Sequence, residues 1–281
     1  MRKEWEHNFA MGRIHISSSD RYNFSEKMYK LITECSTYTD ISKEDKEKAT
    51  WAFGDVGKEK FVDEEVLYGR LGKIKGDRVG TFYDTKNRAF RDQHMTQPLA
   101  QSYSHFIIYP KKQLIVFEEK KPNIKLKVFI AMFEKMYVSH FKDLTTLRIQ
   151  LVVEEDKALK YLRDKKIIKI KFANLVPSNP EEMESFKKLD EMLKIAGIDK
   201  SSMQFENKKQ GIKLEKEGIV REGIALSDAG YGTYRATIEI SGENKTISSK
   251  DNIVRETIPI PDKTMSQVVN QMWNRFKKYM V

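Results

Sequence analysis

The hydrophobic pattern of the chain changes near residue 142, and this change limits the folds that the sequence can adopt. Before it, short apolar stretches typical of strands follow one another, at residues 51–56, 66–74, 79–83, 104–109 and 114–117. After it, predicted strands alternate with predicted helices, an order typical of helices packed on a sheet. The sequence therefore predicts an α+β protein with a β-rich N-terminal domain, residues 1–142, and an α/β sandwich-like C-terminal domain, residues 143–281.

The most regular predicted element is a long amphipathic helix at residues 263–280. Its apolar side chains recur at steps of three and four residues: Met265, Val268, Val269, Met272, Trp273, Phe276 and Met280. We expect this helix to dock on the sheet of its own C-terminal domain. Pairing or exchange of the helix between two copies of the chain is the alternative.

The composition indicates a folded cytoplasmic protein. Apolar residues make up 40% of the 281 residues, which is enough to form a core. The single cysteine, Cys35, excludes an internal disulfide. No stretch approaches the roughly 20 apolar residues of a membrane-spanning helix, and residues 1–7 carry charges where a signal peptide would be apolar.

The charge of the chain favours an anionic partner. It has 51 Lys and Arg against 41 Asp and Glu, a formal net charge of +10. A surplus of this size attracts phosphate backbones. The alternative is a lysine-rich surface that only keeps the protein soluble.

Catalytic motifs are missing from the sequence. The five histidines have no metal-ligand spacing, and there is no phosphate-binding glycine loop, dinucleotide fingerprint or hydrolase elbow. We therefore expect a binding protein without cofactor or metal rather than an enzyme.

One enzymatic alternative remains, a metal-dependent nuclease. Glu118 and Lys120 follow the apolar strand at 114–117, and Asp84 or Asp92 could supply a further carboxylate. Such a set can hold a divalent cation and an activated water. Charged residues are also how buried strands ordinarily end at the surface, so the alternative is a structural role.

A basic strand is the leading candidate for contact with nucleic acid. In residues 167–172, the period of two places Ile168, Ile170 and Phe172 on one face. Lys169 and Lys171 then lie on the other face, near Arg163, Lys165 and Lys166. Outward lysines could instead serve to block pairing between sheet edges.

A second basic segment surrounds the predicted hairpin and the start of the following helix. It contains Lys111, Lys112, Lys120, Lys121, Lys125 and Lys127. Free backbone N–H groups at the helix start could also meet phosphate there.

The order of elements resembles a group of proteins from phage exclusion and anti-phage defence. In the C-terminal half, the resemblance rests on a Lys-rich strand ending in Asn174, a helix, the strand at 203–206, Gly230-Tyr-Gly232 and the segment 248–252. The group includes the lambda exclusion protein RexA and the Kiwa component KwaB. In the N-terminal half, residues 66–73 and 106–117 resemble an uncharacterised bacterial domain family related to that group.

This resemblance implies a two-domain homodimer that binds DNA without sequence preference and acts with a second defence protein. Together with the charge, it predicts binding of double-stranded DNA through the phosphate backbone. The alternatives are the metal-dependent nuclease and a non-catalytic interaction subunit whose basic face docks on an acidic protein.

Overall fold

The structure is a computed structural model of the chain. It describes residues 6–16, 23–35, 37–40, 49–61, 64–75, 79–84, 89–94, 99–142, 146–154, 157–178, 184–215, 218–260 and 264–279. Fourteen strands are present in this part of the chain: β1 Glu6–Ile16, β2 Tyr38–Asp40, β3 Ala49–Phe61, β4 Glu64–Lys75, β5 Val79–Asp84, β6 Ala89–His94, β7 Leu99–Tyr109, β8 Leu114–Glu119, β9 Leu147–Leu151, β10 Lys166–Leu175, β11 Ser201–Glu206, β12 Thr233–Ile240, β13 Glu243–Ser248 and β14 Arg255–Pro259. The helices are α1 Phe24–Glu34, α2 Leu126–Phe141, α3 Lys157–Arg163, α4 Lys187–Ile195, α5 Ile219–Leu226 and α6 Met265–Phe276.

The larger of the sheets has eight strands, in the order β14-β1-β8-β7-β4-β3-β2, with β9 also paired to β1. Strand β1 lies next to one edge of this order and pairs with three other strands. Strand β8 runs along one side of β1 from Asn8 to Arg13. On the other side, β14 pairs with Glu6 to Ala10 and β9 pairs with Gly12 to Ile16, so these two strands lie end to end.

Both faces of the larger sheet are covered by helices. Phe106 and Phe117 pack with Phe129 and Phe133 of α2 in a core that also contains α1. On the opposite face, Val116 and its neighbours pack against α6. Burial on both faces explains why residues 106–109 of β7 and 114–117 of β8 are continuously apolar rather than alternating.

The smaller sheet has four antiparallel strands, in the order β11-β10-β12-β13. Helices α3, α4 and α5 cover one of its faces, and their core includes Phe172, Ala236, Leu189 and Ile224. The side chains of the opposite face are polar and partly or fully exposed. The two remaining strands, β5 and β6, form a hairpin of their own.

The structure corrects the predicted register of the basic strand. Ile170 and Phe172 are buried as predicted, but Ile167 rather than Ile168 is the next buried residue. The pairing of β10 with β12 shifts between Ile167 and Lys169. This irregularity inserts one residue, and the strict alternation ends there.

The expectation that the last helix docks on the C-terminal sheet is wrong. Its apolar periodicity is confirmed, with Val268, Val269, Met272 and Phe276 buried, but these side chains pack on the larger sheet. Strand β14 leads to this position because it pairs with β1 directly before α6. Residues after 142 therefore contribute to both sheets.

A short π-helical turn, Ser227–Tyr231, connects the smaller sheet to β1. Arg13 donates to the carbonyl of Ala229 at 2.7 Å, and His15 Nε2 lies 2.7 Å from the carbonyl oxygen of Gly230. Gly230 has a φ of 85°, and a Cβ at this position would lie 3.0 Å from Cβ of Arg13. Glycine therefore satisfies both the backbone conformation and the close approach.

Truncation of Met272 tests the position of α6. The side chain is fully buried between the helix and the larger sheet. Met272→Ala should lower the free energy of unfolding by about 2–5 kcal/mol, because it removes buried apolar volume and leaves a cavity. The exposed Asn270→Ala on the same helix should change it by less than about 1 kcal/mol. Urea unfolding of both variants measures the difference, and equal stabilities would contradict this packing.

Candidate functional site

A polar cluster lies on the larger sheet, on the face that α6 covers. Along β8, Leu114 and Val116 belong to the core under α6, and Glu118 is the next residue on that face. Along β7, Tyr109 and Ile107 belong to the same core, and His105 follows them. On the neighbouring strands β7 and β8, the apolar face therefore ends at adjacent positions, His105 and Glu118.

Pairing of the strands brings further polar side chains to this level. Phe9 of β1 is opposite Glu118, and His7 is the next β1 residue on the same face. Arg70 of β4 is opposite His105. His7 and His105 therefore reach the carboxylate of Glu118 from the two neighbouring strands, and Arg70 lies on the next strand along.

Glu118 is the centre of the cluster, and its side chain is only 1% exposed. Nδ1 of His7 lies 2.5 Å from Oε1 of this carboxylate, and Nζ of Lys120 lies 3.3 Å from the same oxygen. Nδ1 of His105 lies 2.7 Å from Oε2, and the backbone N–H of His105 donates to Oε2 at 3.3 Å. Both oxygens of the buried carboxylate therefore have partners.

The pKa of Glu118 is held well below its ordinary value. Burial by itself raises this pKa, but the hydrogen bonds from His105 and His7 and the charge of Lys120 outweigh burial. Glu118 is therefore ionised at neutral pH. Because an ionised carboxylate only accepts hydrogen bonds, Nδ1 of each histidine is the donor, and Nε2 of each ring is the nitrogen that can exchange a proton.

An aromatic ring and two cations form the solvent side of the cluster. The ring of Tyr103, a residue that is 38% exposed, stands edge-on to His105 with the ring centres 5.3 Å apart. The guanidinium of Arg70 lies 4.6 Å from the centre of the tyrosine ring, and Nζ of Lys120 lies 6.0 Å from it. Arg70 also pairs with Asp55 at 2.7 Å. This rim can meet an anion and a planar group together.

The structure brings together two of the three residues of the predicted nuclease. Glu118 and Lys120 are in contact, whereas Asp84 ends β5 and Asp92 lies on β6, and the side chains of both aspartates are outside the described part of the chain. Among the described residues, no group of three or more His, Cys, Asp or Glu could hold a metal ion. The metal-dependent reaction stays a prediction.

Sequence reasoning missed His7 and His105, because it searched for histidines at metal-ligand spacing. A different signal was available. A lone histidine within an apolar strand, as in residues 102–109, indicates a polar group that must find a buried partner.

A second candidate surface is the open face of the smaller sheet. Lys171 and Arg235 are exposed and stand directly opposite each other on β10 and β12. Gln204 is the neighbour of Lys171 on β11, and Ser248 is the neighbour of Arg235 on β13. This row, named the cationic row below, holds two cations and no carboxylate.

The other lysines of this face have acidic partners. Nζ of Lys169 lies 3.8 Å from Glu206, and Nζ of Lys166 lies 3.0 Å from Glu239. The positive charge of the predicted basic face is therefore concentrated in the cationic row.

The remaining predicted binding residues do not form one surface. Arg163 ends α3, and Lys165 lies in the connection to β10. Lys111 and Lys112 lie in the turn before β8, whereas Lys120, Lys121, Lys125 and Lys127 follow its end. The six residues of β8 separate these groups by about 20 Å.

The architecture and the polar clusters define a mixed α+β protein with two main antiparallel sheets. The chain belongs to the family described as a domain of unknown function, DUF4747, which matches residues 8–280. No curated protein matches the chain. No helix in the described ranges is long and apolar enough to cross a membrane.

The buried carboxylate should make a measurable contribution to stability. Glu118→Gln should lower the free energy of unfolding at neutral pH by about 1–3 kcal/mol, because the amide cannot accept from both His7 and His105 and leaves a buried donor unpaired. Since the pKa of Glu118 is lower in the folded protein, its contribution is complete above the ordinary value of 4.5 and is lost as the pH falls below it. The difference between the variant and the natural chain should therefore shrink toward about pH 3.

Urea unfolding at several pH values measures this difference. Glu119→Gln is the matched control, since Glu119 precedes the same turn and pairs with the exposed Lys121 at 3.4 Å. Its effect should be smaller than that of Glu118→Gln. A Glu118→Gln effect that stays constant with pH would show that the carboxylate charge does not stabilise the fold.

Proposed function

We propose that this protein binds double-stranded DNA through the phosphate backbone, without reading base sequence, and that the cationic row makes the contact. The observation that carries the proposal is the direct opposition of Lys171 and Arg235. Like charges opposite each other on neighbouring strands repel and destabilise a sheet. A phosphate bound between them would turn this repulsion into attraction.

The open sheet face is better suited to a backbone than to bases. Its outward side chains include Lys166, Lys169, Lys171, Gln204, Glu206, Arg235, Thr237, Glu239, Asn244, Thr246 and Ser248. None of these is aromatic, whereas proteins that bind single strands stack bases on aromatic rings. Apart from Glu206 and Glu239, which pair with Lys169 and Lys166, these side chains are lysine, arginine, amide and hydroxyl donors of the kind that contact phosphate and sugar.

The charge pattern also favours binding by a homodimer. One cationic row offers two phosphate contacts, which is few for a stable complex. Two copies would double this number. The salt dependence should then have a slope of about −4 for a dimer and about −2 for a single chain.

The resemblance to RexA- and KwaB-like proteins supports a role in phage exclusion or anti-phage defence in the cytoplasm, together with a second defence protein. The family itself has no assigned function, so it leaves this role open. A non-catalytic subunit whose basic face docks on an acidic protein is the competing proposal. Binding of purified protein to DNA separates the two, because docking on a protein requires no affinity for DNA.

Reversal of the charge at Lys171 tests the contact. Lys171→Glu should weaken binding to duplexes of unrelated sequence by similar factors and reduce the salt slope by about two units in the dimer, one for each copy. Thermal stability should change little, because the side chain is exposed. Gel shifts at several salt concentrations, with and without Mg²⁺, measure binding and reveal any cleavage.

Lys245→Glu is the matched control. Lys245 is an exposed lysine on β13 of the same sheet, but it is opposite the buried Ile238 and therefore lies toward the helical face. Lys245→Glu changes the net charge of the protein by the same amount as Lys171→Glu, but at a position outside the cationic row. If both variants weaken binding equally, only net charge matters and the proposed contact is wrong.

A further inference from the structure

We propose that His7 and Lys120 cleave RNA by metal-independent phosphodiester transfer, in a site oriented by Glu118. This activity goes beyond the proposed binding of DNA and uses a different sheet. It rests on two partly exposed proton-transfer groups held side by side by one buried carboxylate. Nζ of Lys120 lies 3.5 Å from Nδ1 of His7, and both contact the same oxygen of Glu118.

His7 has the geometry of a general base. Its Nδ1–H is held by the ionised Glu118, so the lone pair of the neutral ring is on Nε2. Nε2 makes no hydrogen bond to any described residue. A carboxylate in this position orients the ring and stabilises the imidazolium that forms when the ring accepts a proton.

Lys120 has the position of a general acid. Its ammonium group is 38% exposed and can reach a leaving oxygen, while Glu118 anchors it. Lysine can serve in proton transfer when it is positioned next to the reacting group. His105 is a positioning residue, because it holds the second oxygen of Glu118 from a site that is only 4% exposed.

The rim of the cluster suits a nucleotide. Arg70 is 27% exposed and can neutralise the oxygens of a phosphoryl group. Arg70 and Lys120 lie over the exposed ring of Tyr103, so the rim offers an aromatic surface and cations together to a base and its phosphate.

RNA is the substrate class because its own 2′-hydroxyl supplies the nucleophile. His7 takes the proton of the 2′-hydroxyl, and the 2′-oxygen forms a bond to phosphorus. The bond from phosphorus to the 5′-oxygen breaks, and Lys120 gives its proton to that oxygen. The products are a 2′,3′-cyclic phosphate and a 5′-hydroxyl, and exchange with water returns His7 and Lys120 to their starting protonation states.

The test is incubation of the purified protein with a single-stranded RNA oligonucleotide in excess EDTA. We expect cleavage with 2′,3′-cyclic phosphate ends, and no cleavage of the DNA oligonucleotide of the same sequence. His7→Asn should reduce the rate about 100-fold or more. The amide N–H of asparagine can still donate to Glu118, but the side chain has no nitrogen that accepts a proton. Lys120→Ala should reduce it similarly, and Lys120 is exposed enough that its loss leaves the fold intact.

Lys121→Ala is the matched control. This lysine is adjacent in sequence, is 66% exposed and pairs with Glu119 instead, so its loss should leave the rate unchanged. Absence of RNA cleavage by the natural chain, equal cleavage of the DNA, or an unchanged rate in folded His7→Asn and Lys120→Ala would each overturn the proposal. Binding of duplex DNA is measured separately, so failure of either proposal leaves the other standing.

Discussion

The pairing of β1 with three other strands is the constraint on which the rest of the structure depends. Strands β8, β9 and β14 come from three distant parts of the chain, and each pairs with β1. The end of the same strand carries Arg13 and His15, which bind the turn that leads into the smaller sheet. Such non-local pairing must overcome loop-closure entropy before it stabilises the fold. The two sheets therefore have their common anchor in one strand.

The cluster around Glu118 is a consequence of the same pairing. Strand β1 brings His7 to β8, and β7 brings His105 to the other side. A buried carboxylate is costly unless it is paired and hydrogen-bonded, and here four donors compensate it. The result is an ionised group beside two imidazole rings, at the point where the apolar core under α6 ends.

The two candidate surfaces differ in what they can do. The cationic row on the smaller sheet has exposed charge, no aromatic ring and no buried carboxylate to orient a proton-transfer group, so it suits the proposed contact with a phosphate backbone. The cluster on the larger sheet has oriented imidazoles, a lysine and an aromatic rim, so it suits the proposed acid–base chemistry. The two proposals therefore concern different sheets.

The sequence by itself determined the local patterns, because helix and strand periodicity depend on neighbouring residues. It predicted the β-rich first half, the alternating second half, the buried face of α6, and the exposed Lys171 opposite the buried Ile170 and Phe172. It also placed Glu118 and Lys120 together, since they are two residues apart at the end of β8. Three features came from the folded structure alone: α6 lies on the larger sheet, a bulge buries Ile167 instead of Ile168, and His7 and His105 hold Glu118. These features depend on which strands pair and in which register, and pairing between distant segments leaves no mark in the local hydrophobic pattern.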